Sequence, residues 1–146
     1  MTATMTGKHS KRKPHILVVD DDVNIISAFR DYLEKRNCTM VGVSDTELAF
    51  NRIRKQCFDL LITDIRVNLQ SGVTFLIRAK EARPTLPVIV ITGYPDTVTN
   101  NDLKSYGANY ILIKPLELRQ LNTAIDHCLG SWTKRSLGEN SHLNFR

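Results

Sequence analysis

Five short apolar runs alternate with longer segments of helical periodicity along this chain. The runs occupy residues 16–19, 40–43, 60–62, 88–91 and 111–113. Four of them are almost continuous valine, isoleucine and leucine, which is typical of strands buried on both faces of a sheet. The second run is interrupted by Gly42, which favours a position nearer the edge of the sheet. The pattern therefore predicts five buried strands.

Apolar residues recur every three or four positions between these runs, which predicts a helix after each strand. The repeats with the clearest spacing are Ile26, Phe29 and Leu33; Ala49, Ile53 and Cys57; Val73, Leu76 and Ile77; and Leu118, Leu121, Ile125 and Leu129. Asp22, Asp45 and Ser71 are residue types that cap helix N-termini, and Gly107 is placed to end the fourth helix. That fourth helix, over 96–106, has weak support, because residues 97–101 are all poor helix formers. We predict a marginal, mobile helix there.

Alternation of strands and helices predicts an α/β fold with a parallel sheet and helices on both of its faces. The length of 146 residues fits one domain. Hydrophobic residues make up 42% and charged residues 24%, as in an ordinary globular protein, which argues against a disordered chain. No apolar run approaches the length of a membrane span, and no secretory signal is evident. We expect a cytoplasmic protein without a membrane partner.

Positive charge is concentrated at the two ends of the chain. Residues 1–14 contain four Lys/Arg and no acid, residues 131–146 contain three Lys/Arg and one acid, and residues 15–130 contain 13 basic and 14 acidic residues. We predict a basic disordered tail over 1–13, a folded domain over 14–130 and a C-terminal tail over 131–146. The N-terminal tail lacks interleaved aromatics, and the C-terminal tail is too short for a helix-turn-helix. Direct nucleic-acid binding is therefore not expected.

The three cysteines do not indicate a disulfide framework or a metal site. Cys38, Cys57 and Cys128 are odd in number, widely spaced and without a CxxC pair, and no histidine stands at metal-ligand spacing from them. Cys57 and Cys128 continue apolar helical patterns. We therefore predict reduced thiols in the core.

Polar residues follow four of the five strands, where ligands bind in sheets of this kind. They are Asp20, Asp21 and Asp22 after the first strand, Thr63 and Asp64 after the third, Thr92 and Gly93 after the fourth, and Lys114 and Pro115 after the fifth. Each is common alone, as a helix cap, a turn or a loop. Together they place four carboxylates, two hydroxyls and an ammonium at one edge.

Carboxylates from two strands repel each other, and a hard divalent cation such as Mg²⁺ relieves that repulsion. Such a cation and a lysine would also neutralise the oxygens of a phosphoryl group. Asp64 lies on the central strand between the acidic triplet and Lys114. It is therefore the natural nucleophile, and its product would be an aspartyl phosphate.

At these residues the chain resembles the receiver domain of two-component response regulators, a bacterial signalling family. The matching stretches are residues 16–22, 60–65, 71–72, 90–93, 107–108 and 114–115. The resemblance covers residues 14–130. It implies a flavodoxin-like, doubly wound sheet of five parallel strands in the order 2-1-3-4-5, with five helices.

The resemblance also implies the role of each site residue. Asp64 would accept a phosphoryl group from a phosphohistidine of a sensor histidine kinase or a phosphotransfer protein. Asp20, Asp21, Asp64 and the main-chain carbonyl of Arg66 would hold Mg²⁺. Lys114 would pair with the acceptor carboxylate and then with the phosphate. Thr92 would turn its hydroxyl to the phosphate.

The output implied by the resemblance is a surface formed by the fourth helix, the fifth strand and the fifth helix. A downstream effector protein or domain would bind there, and a homodimer would form through the same surface. The Lys114–Pro115 peptide bond would be cis. The chain would not be an enzyme beyond catalysing its own phosphotransfer and dephosphorylation.

Four residues depart from the family pattern, two of them as a pair. Ile111 stands where an aromatic residue is common, with Tyr110 just before it, and Asn68 stands where a proline is common. Arg66 and Tyr94 occupy the two places that line the path of the hydrolytic water. Their bulk leads to the hypothesis that dephosphorylation is slow.

Other functions are open at this point. A phosphorylation-independent interaction module predicts the same fold, and the chain could be the receiver fragment of a longer transcriptional regulator. A hydrolase with an aspartyl nucleophile of the DxDxT type would need a threonine at position 24, which is Asn24. A nucleotide or flavin binder would need a glycine-rich loop after the first strand, where acids stand instead.

Overall fold

A computed structural model describes residues 12–65, 69–93 and 97–130 of the chain. The strands of this part form one sheet of β1 (His15–Val19), β2 (Thr39–Val43), β3 (Leu60–Ile65), β4 (Val88–Thr92) and β5 (Tyr110–Ile113). All neighbouring strands are parallel, in the order β2-β1-β3-β4-β5. The predicted strand order is thereby confirmed, and so is the edge position that Gly42 indicated for β2.

Each strand is followed by a helix that packs on one face of the sheet. The helices are α1 (Val23–Lys35), α2 (Thr46–Lys55), α3 (Leu69–Ala82), α4 (Thr97–Ser105) and α5 (Leu118–Leu129). Buried residues of α2, α3 and α4 form one core cluster, and those of α1 and α5 form another on the opposite face. The sheet is therefore doubly wound, as predicted.

Side chains of β1 illustrate why the strands are almost continuously apolar. Leu17 and Val19 belong to the core on the α2–α3 face, whereas Ile16 and Val18 belong to the core on the α1–α5 face. Successive residues of a strand point to opposite faces, so a sheet covered on both sides needs an apolar residue at every position. None of the described helices combines the length and apolar composition that a membrane span requires.

Two of the three helix caps predicted from the sequence are present in the structure. The side chain of Asp22 accepts a hydrogen bond from the Asn24 amide (2.9 Å), and Asp45 caps α2 in the same way. The predicted cap at Ser71 is wrong, because α3 already begins at Leu69. Leucine and glutamine are good helix formers, which favours this earlier start.

The prediction of core thiols is correct for Cys38 and wrong for Cys57. Cys38 is buried and Cys128 half-buried, and burial raises the pKa of each of these two thiols to about 11. Cys57 is exposed. The reason is that α2 ends at Lys55, so the periodicity that aligned Cys57 with Ile53 stops two residues earlier.

Helix α4 forms despite its poor helix formers and is anchored in the core by Leu103. Among the side chains of residues 101–105, that of Leu103 alone is buried, and its exposure is 0%. The helix ends at Ser105, and Gly107 follows with a φ of +116°, a conformation that favours glycine. Tertiary packing therefore compensates for weak helix propensity here.

We expect Leu103→Ala to lower the free energy of unfolding by about 2–5 kcal/mol, because it removes a buried side chain and leaves a cavity. Urea denaturation followed by circular dichroism measures this loss. The matched control is Leu118→Ala, since Leu118 is 61% exposed. That variant should change stability by less than about 0.5 kcal/mol. Equal losses in the two variants would contradict the anchoring role of Leu103.

Candidate functional site

Strand register brings the predicted polar residues to one edge of the sheet. Val19 pairs with Thr63, so Asp20 and Asp64 follow at neighbouring positions on adjacent strands. On the other side of β3, Ile65 pairs with Thr92. The amide of Lys114 in turn donates a hydrogen bond to the carbonyl oxygen of Thr92 (2.8 Å). The carboxyl ends of β1, β3, β4 and β5 thus form one site.

The centre of the site is an ion pair between Asp64 and Lys114. Lys114 Nζ lies 2.7 Å from Asp64 Oδ2, within the range of a charge-assisted hydrogen bond. The Asp64 side chain is 1% exposed and that of Lys114 is 32% exposed. Burial of an isolated carboxylate is very unfavourable, so the lysine compensates for the burial of Asp64. Asp64 lies within β3, which continues to Ile65 beyond the predicted end.

Asp20 is a second buried carboxyl beside Asp64. Its exposure is 3%, and its Oδ1 accepts a hydrogen bond from the backbone amide of Asp22 (2.9 Å). The pKa of Asp20 is raised to about 6, chiefly by burial and in addition by the neighbouring Asp64, whereas the Asp22 amide and Lys114 act in the opposite direction. Two acids thus share a site in which one cation is already present.

The other predicted residues differ in how far the structure describes them. Asp21 is exposed beside this pair, and Thr92 is 1% exposed at the end of β4. The Lys114–Pro115 bond is cis, as the resemblance implied. Arg66, Asn68 and Tyr94 lie outside the described residues, as does the start that we predicted for the fourth helix.

A magnesium ion suits the donors of this site. Among the described residues, no three histidine, cysteine, aspartate or glutamate side chains come together as a ready metal cluster. Mg²⁺ does not need one, because it keeps several waters and binds one or two carboxylates together with phosphate. Asp20 and Asp64 offer hard oxygen donors, and relief of their repulsion would favour a cation.

The position of Tyr110 is a feature that the sequence analysis did not develop. Ile111 packs against the core on the α4 face, whereas Tyr110 packs on the α5 face and its hydroxyl contacts His127 Nδ1. Side chains along a strand alternate between the two faces of the sheet, so residues 110 and 112 of β5 must share a face. This alternation could have shown that Tyr110 faces α5. The aromatic residue of β5 therefore contacts α5 and not α4.

Comparison with known proteins agrees with the fold. The family model described as response regulator receiver domain matches residues 16–126. The chain belongs to this family. Among curated relatives, it is 30% identical over 114 residues to the transcriptional regulatory protein ZraR of Escherichia coli K12, a match that covers 78% of this chain and 26% of ZraR. The chain thus spans about a quarter of the length of the first curated relatives that it matches.

Solved structures give the same result. A CheY-like receiver domain protein from Methanospirillum hungatei JF-1 is similar with a TM-score of 0.77 and 26% identity, covering 84% of this chain and 98% of that one. The beryllofluoride-activated NtrC4 receiver domain dimer has a TM-score of 0.73 and 28% identity, covering 81% and 98%. These chains are receiver domains over nearly their whole length.

In metal-free buffer containing EDTA, we expect Asp20→Asn to stabilise the protein by about 1–3 kcal/mol at about pH 7.5. The pKa of Asp20 is about 6 in the folded protein and 3.8 ordinarily, so ionisation disfavours the folded state as the pH rises through this range. The gain should therefore shrink as the pH is lowered towards 3.8. Thermal unfolding measured across this range gives the difference. Asp45→Asn, at the exposed cap of α2, is the control and should show no such dependence on pH.

Proposed function

We propose that this receiver domain accepts a phosphoryl group on Asp64 and signals through a surface that changes on phosphorylation. The donor would be a phosphohistidine of a sensor histidine kinase or a phosphotransfer protein. The observation that carries the proposal is the buried Asp64 carboxylate, held at 2.7 Å by Lys114 beside the second buried carboxyl of Asp20. A structural ion pair alone would not need that second acid.

Each residue has a defined chemical part in the proposal. A carboxylate oxygen of Asp64 attacks the phosphorus, and the bond from phosphorus to the donor imidazole nitrogen breaks as the new P–O bond forms. The electron pair of the broken bond leaves with the imidazole. Lys114 pairs first with the carboxylate and then with the phosphoryl oxygens, and Thr92 donates its hydroxyl to one of them.

Asp20, Asp21, Asp64 and the main-chain carbonyl of Arg66 would hold Mg²⁺. The ion would supply positive charge that reduces repulsion between the carboxylates and the phosphoryl oxygens. The chain itself prepares this arrangement, because the Asp22 amide orients Asp20 towards the site (2.9 Å). The Lys114 ammonium lies 2.7 Å from an Asp64 oxygen and holds the acceptor carboxylate in the site.

Exposed apolar side chains near the site support a protein as the phosphoryl donor. Val23 is 68% exposed in the first turn of α1, and Leu118 is 61% exposed in the first turn of α5. Both helices begin at the edge of the sheet that carries Asp64. Apolar side chains beside a charged centre are typical of a protein interface and would be unused by a small anionic substrate.

The output surface in this proposal consists of α4, β5 and α5. An open groove of about 390 Å³ lies between β5 and α5, lined by residues 110–113 and by Arg119, Gln120 and Thr123. An effector or a second copy of the chain would bind here. The similar NtrC4 receiver is described as a dimer when activated by beryllofluoride, which supports a homodimer.

The proposal also states the extent of the domain, its location and its activity. The receiver domain would span 14–130, between the two tails predicted over 1–13 and 131–146, of which residues 1–11 and 131–146 lie outside the described residues. The protein acts in the cytoplasm and catalyses only its own phosphotransfer and dephosphorylation.

A second candidate function is that the chain is the receiver part of a longer transcriptional regulator, since ZraR extends well beyond the matched quarter of its length. Phosphorylation-independent binding is the third.

Incubation with acetyl phosphate and Mg²⁺ should add the mass of one phosphoryl group to the intact protein, because Asp64 is paired with Lys114 at the carboxyl edge of the sheet, where the cation would assist the transfer. Intact-mass spectrometry measures the gain. EDTA and the variant Asp64→Asn should each abolish it. Asp45→Asn is the control, since Asp45 is an exposed helix cap outside the site. A gain that persists in Asp64→Asn would assign the acceptor elsewhere, and no gain in the parent protein would favour phosphorylation-independent binding.

Thr92→Ala should still gain the phosphoryl group but should lose the response of α4. The hydroxyl of the buried Thr92 is the group that would follow the phosphate, and β4 leads directly towards α4. Hydrogen exchange measured with and without beryllofluoride reports amide protection in α4 and β5. Thr85→Ala serves as the control, because Thr85 is exposed before β4 begins. An unchanged response in Thr92→Ala would contradict the coupling.

A further inference from the structure

The two ends of the described chain lie at the same pole of the molecule, opposite to Asp64. Strand β1 begins at His15, and Pro14 accepts a hydrogen bond from the amide of Thr39 at the start of β2 (2.9 Å). Helix α5 runs back towards this pole, where its Asp126 pairs with Arg36 after α1. The chain therefore enters and leaves its described part where the strands begin.

Three segments converge at this pole and carry a strong excess of positive charge. They are residues 12–15, 52–59 and 83–87, which together hold one acid and six Lys/Arg, namely Arg12, Lys13, Arg52, Arg54, Lys55 and Arg83. Arg12 Nη2 lies 3.3 Å from Asp59 Oδ1, and Arg83 Nη2 donates to the carbonyl oxygen of Arg54 (3.5 Å). We call these six side chains the basic pole.

The acid of these segments does not cancel the charge of the basic pole. Asp59 pairs with Arg12, and its other oxygen accepts a hydrogen bond from the amide of His15 (2.8 Å). Of the basic side chains, all but the half-buried Arg83 are exposed. Arg83 lines a cavity of about 300 Å³, whose lining also includes Gln56, Phe58 and Thr85 as groups able to hydrogen-bond or stack.

Helix electrostatics explain only part of this arrangement. Cations in the last turn of a helix are stabilised by its dipole, which accounts for Arg52, Arg54 and Lys55 in α2. Arg12 and Lys13 precede a strand, however, and no helix dipole stabilises them. Arg12 pairs with Asp59, and the six cations of the basic pole still exceed that one acid by five.

We propose that the basic pole binds the phosphate backbone of a nucleic acid. Several cations on one face, with polar and aromatic groups between them, match a chain of phosphates. An anionic membrane fits less well, because three of the four exposed large apolar residues among those described, Val23, Leu48 and Leu118, lie in first turns of helices, at the opposite pole. Binding would leave Asp64 accessible.

The full chain should bind a fluorescein-labelled DNA duplex in fluorescence anisotropy, with a Kd of about 1–100 µM that weakens as NaCl rises from about 50 to 200 mM. The double variant Lys13→Glu/Lys55→Glu should weaken binding about tenfold or more and lower the slope of log K against log salt by about two. Lys13→Gln/Lys55→Gln should give a smaller loss in the same direction.

The matched control is Arg30→Glu/Arg119→Glu, which makes the same change in net charge at exposed positions outside the basic pole. It should weaken binding about threefold or less, through net charge alone. Thermal unfolding checks that all variants fold. An equal loss in control and pole variants, or no binding of the duplex at the lowest salt, would overturn the proposal. So would binding only to phosphatidylglycerol vesicles.

Discussion

The burial of one carboxylate beside another is the constraint on which this structure depends. Asp64 is almost inaccessible within the central strand and has the buried carboxyl of Asp20 as its neighbour. Such a pair is unfavourable on its own, as the raised pKa of Asp20 indicates. The single ammonium of Lys114, 2.7 Å from Asp64, offsets part of that cost. The site therefore attracts further positive charge, and a phosphoryl group with its cation would satisfy it.

The parallel sheet allows the domain to remain stable despite the two buried carboxyl groups. The acids and the lysine come from three strands whose remaining residues are nearly all apolar and buried, so the polar edge rests on two well-packed cores. Register alone sets Asp20 next to Asp64 and Thr92 next to Ile65. No loop has to hold those residues in place. Stability lost at the site is thus compensated by hydrophobic burial elsewhere.

The strands, the helices on both faces and the site edge were predictable because they follow from local, periodic signals, whereas the strand order was implied by the resemblance to receiver domains. Continuous valine and isoleucine runs specify buried strands, and residues directly after such strands must meet at one edge. The wrong predictions concern helix ends, where the periodicity of apolar residues no longer reports the structure. Cys57 continues the spacing of Ile53 in sequence, but α2 ends before it, and Ser71 has the chemistry of a cap inside a helix that begins earlier. Where a helix ends depends on tertiary contacts that periodicity does not contain.

The two poles of the domain follow from one geometric fact, that every helix runs antiparallel to its strand. The N-terminal ends of the helices, with their partial positive charge, surround the acidic edge at Asp64 and favour an anion there. The C-terminal ends, with partial negative charge, face the opposite pole and favour lysine and arginine. The two ends of the described residues lie at that second pole, because β1 starts and α5 ends there. The fold thereby separates the site at Asp64 from the surface that we propose for a polyanion.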